Sequence, residues 1–193
     1  MERYRKALKK SYLPHIILIP VIILVIIYCI IQLTSIGTDL DTLFAECWIW
    51  GLLLLGAFLT WLNFLIYSRR LKKLKEELPD IEDQLENCML SFNDTHFFLN
   101  EYFVSFEVPV AVRYEDITSV RPKAYIRYHN GKPLDKSYIK FRCSNGKKRC
   151  INKFAGNRLL VSRKKFNEEN RRVFDEVAEQ LKKYCRHAHF IEY

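Results

Sequence analysis

Two long apolar runs dominate the first third of the chain. Residues 16–31 read IILIPVIILVIIYCII, and residues 47–67 read CWIWGLLLLGAFLTWLNFLIY without a charge. With its apolar flanks, the first run reaches about the twenty residues that a helix needs to cross a bilayer core. The pattern predicts a membrane α-helical hairpin in residues 1–67, with transmembrane helices at about 13–34 and 47–67, and the lipid bilayer as its surroundings.

The charges around these runs predict an orientation. Basic residues precede the first run, and the second is followed by Arg69, Arg70, Lys72, Lys73 and Lys75. All charged residues in the connection between the runs are acidic. Because Lys and Arg are retained on the cytoplasmic side of a membrane, both termini are expected in the cytoplasm. The five basic residues after the second run are therefore a candidate juxtamembrane surface.

Residues 68–88 predict a helical connector. An apolar stripe recurs there at steps of three and four, which is typical of one helix face. Its members are Leu71, Leu74, Leu78, Ile81 and Leu85. The spacing would suit a dimeric coiled coil, and hence a homodimer, but the run is short and Pro79 interrupts it. Packing on the following domain is the favoured interpretation, with a new helix beginning after Pro79.

Beyond Cys88 the pattern changes to short segments with a period of two, which predicts β-strands. The longest alternation runs from Tyr102 to Tyr114 and is broken at Pro109. Asn130-Gly131 and Asn145-Gly146 separate later strands, and such pairs favour tight hairpins. A two-residue turn at Asn145-Gly146 would place Cys150 opposite Phe141.

The chain returns to a helical period between Phe166 and Tyr184. Strands followed by one amphipathic helix predict an α+β soluble domain over residues 89–185, with a tail at 186–193. A strongly curved antiparallel sheet leaves an open end that a C-terminal helix can cap.

The order of these segments resembles a family. The segments are the basic exit SRRLKKLK, the strand and turn MLSFNDTHFFL, the strand end RYEDITSV and the terminal helix KKFNEENRRVFDEVAEQLKKY. Together with two apolar N-terminal runs they look like the YcxB-like bacterial membrane proteins. The resemblance implies a pleckstrin-homology (PH)-like domain at the cytoplasmic face of the bacterial inner membrane. It supplies no active-site residues.

Charge is strongly segregated along the second half of the chain. Residues 76–120 contain eleven acids and one base, whereas residues 121–165 contain fifteen bases and one acid, Asp135. The blocks could neutralise each other across a sheet, or the basic block could meet anionic lipid headgroups or a protein partner. The candidate contacts are Lys147, Lys148, Arg149, Arg163, Lys164 and Lys165.

Other binding chemistry is less well supported. Nucleic acid is an unlikely partner, because no recognised motif accompanies Tyr125, Tyr128 and Tyr138, which are ordinary strand residues. The tail sequence CRHAH places Cys185, His187 and His189 at every second position. A metal site usually needs three or four fixed ligands, so no metal is expected there. His96 stands alone near a turn and is expected at the surface.

No catalytic motif and no cofactor-binding pattern occurs, so we expect a protein that is not an enzyme. The pattern favours a membrane-anchored binding module that recruits a protein partner or contacts anionic lipid at the cytoplasmic face. The alternative is a membrane immunity or regulatory factor that acts on a toxin or a neighbouring membrane protein.

Overall fold

The structure is a computed structural model that describes residues 2–35, 40–129, 132–152, 154 and 162–191. Within these ranges it describes all side chains except those of His129, Lys132, Arg163 and part of the first two helices. The chain divides into two compact units. One unit comprises Met1–Ser11 with Arg70–Tyr193, and the other comprises Tyr12–Arg69.

Two long helices begin the chain, α1 (Glu2–Ser35) and α2 (Leu40–Glu77). Across the described residues, no helix offers a stretch that is both long enough and apolar enough to cross a bilayer. The predicted transmembrane hairpin is therefore wrong, as is the inner-membrane location with both termini in the cytoplasm that followed from it. The prediction counted the apolar runs alone, whereas α1 and α2 also contain the charged turns beside those runs.

Within the unit Tyr12–Arg69, several described apolar side chains are exposed, for example Leu24 and Leu52. Phe58 and Trp61 contact each other on α2, with ring centroids 6.2 Å apart. The Thr60 hydroxyl donates a hydrogen bond of 2.9 Å to the Gly56 carbonyl oxygen one turn earlier. That polar side chain is thus satisfied within its own helix.

The first sheet consists of four antiparallel strands in sequential order. They are β1 (Leu90–Phe92), β2 (His96–Phe98), β3 (Tyr102–Ser105) and β4 (Val110–Arg113). Asn93 and Asp94 adopt positive φ angles of 54° and 51° in the turn between β1 and β2, a conformation that Asn and Asp tolerate better than most residues. Pro109 lies in the turn before β4, which explains why the alternation breaks there.

The second sheet is built on one long hairpin, β5 (Ile117–His129) and β6 (Lys132–Cys143). β7 (Lys148–Ile151) pairs antiparallel with β6. After the last helix, α4 (Arg163–Tyr184), the short strand β8 (His189–Phe190) pairs parallel with β5. The sheet order is therefore β7-β6-β5-β8.

The prediction of one curved antiparallel sheet is wrong, because the described strands form two sheets. A 3₁₀ turn, Tyr114–Asp116, separates β4 from β5, so the hydrogen-bond ladder does not continue from one strand to the other.

The tail also takes part in the fold. Ala188 is buried and the Ile191 amide donates a 3.0 Å hydrogen bond to the Val120 carbonyl oxygen.

The main hydrophobic core joins both sheets to α4. Its centre is aromatic, with Phe103 4.9 Å from Phe98 and 6.1 Å from Phe141 between ring centroids. From α4, Val177 and Leu181 reach this core and are fully buried. The helix predicted between Phe166 and Tyr184 is thereby confirmed, with its apolar face on the sheets.

A second core forms around the end of α2. Leu74 and Leu78, with Ile81 and Leu85 from α3 (Ile81–Glu86), pack with β2–β4 and the first turns of α1. Leu85 is fully buried. The prediction that the leucine stripe packs on the following domain is confirmed. A new helix begins after Pro79, as expected.

A polar network attaches α4 to β6. The Asp135 carboxylate accepts hydrogen bonds from the Ser137 hydroxyl at 2.6 Å and from Asn170 Nδ2 at 3.1 Å. Asn170 Oδ1 accepts a hydrogen bond of 3.3 Å from the Phe154 amide. Arg171 adds an ion pair of 3.7 Å to Asp135. Because Asn170 is buried and satisfies two partners at once, it fixes where the helix sits on the strand.

The β6–β7 hairpin has a three-residue loop, residues 144–146. The Cys143 amide donates to the Lys147 carbonyl oxygen at 2.9 Å, and Gly146 has a φ of 75°, which a glycine adopts without strain. This loop shifts the pairing of β6 with β7 by one residue, compared with the pairing that a two-residue turn would give. Cys150 therefore lies opposite Lys140, and Phe141 lies opposite Arg149.

Replacing Leu85 by Ala should lower the free energy of unfolding by about 2–5 kcal/mol, because it leaves a cavity in the second core. Met89→Ala is the matched control, since Met89 is 76% exposed, and it should change the value by less than about 0.5 kcal/mol. Urea unfolding measures both. A loss that grew or shrank with protein concentration would contradict packing within one chain and favour the coiled-coil dimer.

Replacing Asn170 by Ala should lower the free energy of unfolding by about 2–3 kcal/mol, because the partly buried Asp135 carboxylate and the Phe154 amide both lose a partner. Arg172→Ala is the control on the same helix. Arg172 forms an exposed ion pair with Glu176 at 3.3 Å, so the loss of this pair should cost at most about 0.5 kcal/mol. If urea unfolding showed that the two variants lose the same free energy of unfolding, a special role for the network would be ruled out.

Candidate binding groove

A groove of about 290 Å³ lies between the end of α2 and the β6–β7 hairpin. We call it the basic groove. Basic side chains from both elements line it, and an apolar floor lies between them. The lining residues are Arg70, Lys73, Leu74, Glu77, Val108, Pro109, Val110, Lys148, Arg149 and Cys150.

The groove has an excess of positive charge. Its four basic residues face a single carboxylate, that of Glu77, which gives a formal net charge of +3. Arg149 NH2 lies 2.9 Å from Glu77 Oε1, and both side chains are only partly exposed. This ion pair positions the guanidinium at the groove wall. Arg70, Lys73 and Lys148 are exposed to solvent at the rim.

The basic groove joins two sets of residues that are far apart in the sequence. Arg70 and Lys73 come from the predicted juxtamembrane set, and Lys148 and Arg149 come from the predicted anion-binding set. Lys147 is exposed in the adjoining loop, where its amide donates to Asn145 Oδ1 at 3.0 Å. The structure thus assembles about half of the predicted basic residues into one surface.

The other predicted residues do not line this groove. Lys75 lies 3.3 Å from Glu82 and 4.9 Å from the centroid of the Tyr4 ring. The neighbouring Tyr4 hydroxyl, followed by Glu82, raises the pKa of the Lys75 ammonium group. Arg69 and Lys72 are exposed on α2. Lys75 is therefore part of the packing of α2 against the first turns of α1.

The basic cluster at the start of α4 is also separate from the groove lining. Lys164 and Lys165 are exposed in the first turn, where the Ser162 side chain caps the helix by accepting from the Lys165 amide at 3.4 Å. The Arg163 side chain lies outside the described residues. Cations at a helix N-terminus meet the positive end of the dipole, so the dipole does not stabilise them.

The Cys and His side chains of the CRHAH segment lie in different surroundings. Cys185 is fully buried in the main core, and burial raises the pKa of its thiol to about 12. His187 and His189 are exposed. Among the described residues, no group of three or more His, Cys, Asp or Glu side chains could hold a metal ion.

The structure adds residues that the sequence patterns did not assign to a binding surface. Glu77 and the turn residues Val108 and Pro109 complete the groove. Glu77 follows Lys73 by four positions on one helix, a spacing that places both on one face and could have indicated it. His96 was expected at the surface, which is wrong. It is fully buried, with its ring 6.3 Å from Phe103 and 5.5 Å from Phe154.

Comparison with known proteins identifies no relative: no family model, no curated protein and no solved structure matches this chain. The resemblance to YcxB-like proteins therefore stays a prediction.

The environments of the cysteines predict different thiol reactivity. Cys150 is exposed at the groove, although partial burial raises its pKa, whereas Cys185 is fully buried. At pH 8 only about one in ten thousand thiols with a pKa of about 12 is ionised. Iodoacetamide should therefore modify the Cys185 peptide at least about a hundredfold more slowly than the Cys150 peptide, as measured by mass spectrometry. Unfolding in urea should abolish the difference, and equal rates in the native protein would contradict the burial of Cys185.

Proposed function

We propose that this chain is a non-enzymatic binding module whose basic groove binds an acidic, extended segment of a partner protein. The observation that supports this proposal is the combination of four basic side chains with an apolar floor in one groove. Leu74, Pro109 and Val110 in the floor are buried, while Arg70, Lys73 and Lys148 stand at the rim. A segment that alternates acidic and apolar residues would match both features.

The strands beside the groove favour an extended ligand. Val110 belongs to β4, at the edge of the first sheet, and Lys148, Arg149 and Cys150 belong to β7, at the edge of the second. Within the described residues, each of these strands pairs with one neighbour only, β4 with β3 and β7 with β6. An edge strand presents backbone donors and acceptors that an added strand can use.

The positive charge of the groove is compatible with the alternative function as well. An immunity or regulatory factor would likewise hold its target as a protein partner, so that alternative differs in the identity of the partner rather than in the surface. The absence of enzymatic activity stays a prediction. The ion pair between Arg149 and Glu77 leaves the groove cationic, which suits recognition of carboxylates in either case.

The proposal is tested with the full chain and a fluorescent nine-residue peptide of alternating Glu and Val. Arg70→Glu combined with Lys148→Glu should weaken binding by at least about tenfold in fluorescence anisotropy, since two attractive charges become repulsive at up to about 1 kcal/mol each. Raising the salt concentration should weaken wild-type binding.

Lys164→Glu with Lys165→Glu is the matched control, because it makes the same change in net charge outside the groove lining. It should alter the affinity by less than about twofold. Equal weakening in both variants would show that the peptide responds to net charge alone. Equal wild-type affinity for a Lys–Val peptide would also overturn the proposal.

A further inference from the structure

One face of the second sheet carries a dense array of basic side chains. The register places Arg121 opposite Lys140 and Arg142 opposite Lys148. Directly paired residues project from the same face of a sheet, as do residues two positions apart on one strand. We call this surface the basic face. Its members are Arg121, Lys123, Arg127, Lys136, Lys140, Arg142 and Lys148, with Tyr125 and Tyr138 between them.

The face is free of acidic residues along these strands. Between residues 117 and 151 the sequence contains one acid, Asp135. Asp135 pairs with Ile126 and lies on the opposite face, where it binds Ser137, Asn170 and Arg171. The acid is therefore held by the network under α4 and does not neutralise the basic face.

This concentration of positive charge lowers the stability of the folded protein. Like charges directly opposite each other on neighbouring strands are destabilising, and here the exposed Arg142 and Lys148 form such a pair. A surface of this kind becomes more favourable when an anionic partner supplies the opposite charge. The partner should present many negative groups in a plane, because the basic side chains are spread over three strands.

The aromatic side chains decide between two anionic partners. Single-stranded nucleic acid needs open aromatic rings for base stacking. Lys140 Nζ lies 4.8 Å over the Tyr138 ring, and Tyr125 meets that ring nearly edge-on, with centroids 6.5 Å apart at 76°. Tyr128 projects from the other face of β5. These tyrosines therefore do not form a stacking platform.

The exposed side chains of the basic face fit a lipid surface better. Tyr125 is 43% exposed on this face, among exposed cations such as Arg127 and Lys136. A lipid headgroup region accommodates amphipathic rings of this kind, and it presents phosphates in a plane. We propose that the basic face binds the phosphate-bearing headgroups of an anionic lipid surface. This is a peripheral contact that needs no membrane-spanning helix.

The test uses the full chain and two kinds of vesicle, phosphatidylcholine alone and phosphatidylcholine with about 30% phosphatidylserine. The protein should sediment with the anionic vesicles and much less with the neutral ones. Lys136→Glu with Arg142→Glu removes two exposed cations of the face that do not line the basic groove. This variant should lower the partition coefficient by at least about tenfold, since each basic residue near such a surface contributes about fivefold.

Two controls make the result specific. Lys164→Glu with Lys165→Glu changes the net charge equally on α4, which packs against the opposite face, and should alter partitioning by less than about twofold. The Lys136/Arg142 variant should also keep its affinity for the Glu–Val peptide, so that this face and the groove are tested separately.

Equal binding to neutral vesicles, or an equal loss in both variants, would overturn the proposal. Tighter binding of a thirty-residue oligo(dT) that the Lys136/Arg142 variant loses would assign the face to nucleic acid instead.

Discussion

Burial of one face of the second sheet is the constraint on which the rest of the structure depends. Val120, Ile139, Phe141 and Ile151 turn towards the main core, where the aromatic rings of the first sheet and the apolar side of α4 meet them. Since side chains alternate along a strand, the residues between them must face outwards. Arg121, Lys140, Arg142 and Lys148 occupy those outward positions, whereas Arg149, opposite Phe141, does not. The same packing that stabilises the core therefore concentrates positive charge on the other side.

The end of α2 connects the second core to the candidate binding groove. Leu78 turns inwards to the second core, Arg70, Lys73 and Glu77 line the basic groove, and Leu74 belongs to both the core and the groove floor. The ion pair between Glu77 and Arg149 then joins the helix to β7 across the groove. The second core and the groove lining thus use adjoining sides of the same helical turns. A change in the buried side would displace the charges on the other.

The predictions succeeded where a local pattern was sufficient. The leucine stripe and the α4 periodicity each identified a buried helix face, because a face of that kind is visible in the spacing of apolar residues. Apolar length alone was misleading, since it led to transmembrane helices that the described residues do not support. The strand β8 was missed because two paired residues carry no detectable period. His96 was misplaced because its burial comes from contacts with Phe103 on the neighbouring strand and with Phe154, which is distant in the sequence.

The amino-acid sequence alone specified the order of the main helices and strands, the segregation of acidic and basic blocks, and the presence of a hairpin at Asn145-Gly146. All of these follow from local conformational preference or from composition. Tertiary structure decided which charges became neighbours. The three-residue loop at Gly146 shifts β7 by one position, so that Arg149 reaches Glu77 while Lys148 stands beside Arg142. A shift of one residue reverses the face of every side chain on a strand, and only the packed partners determine it.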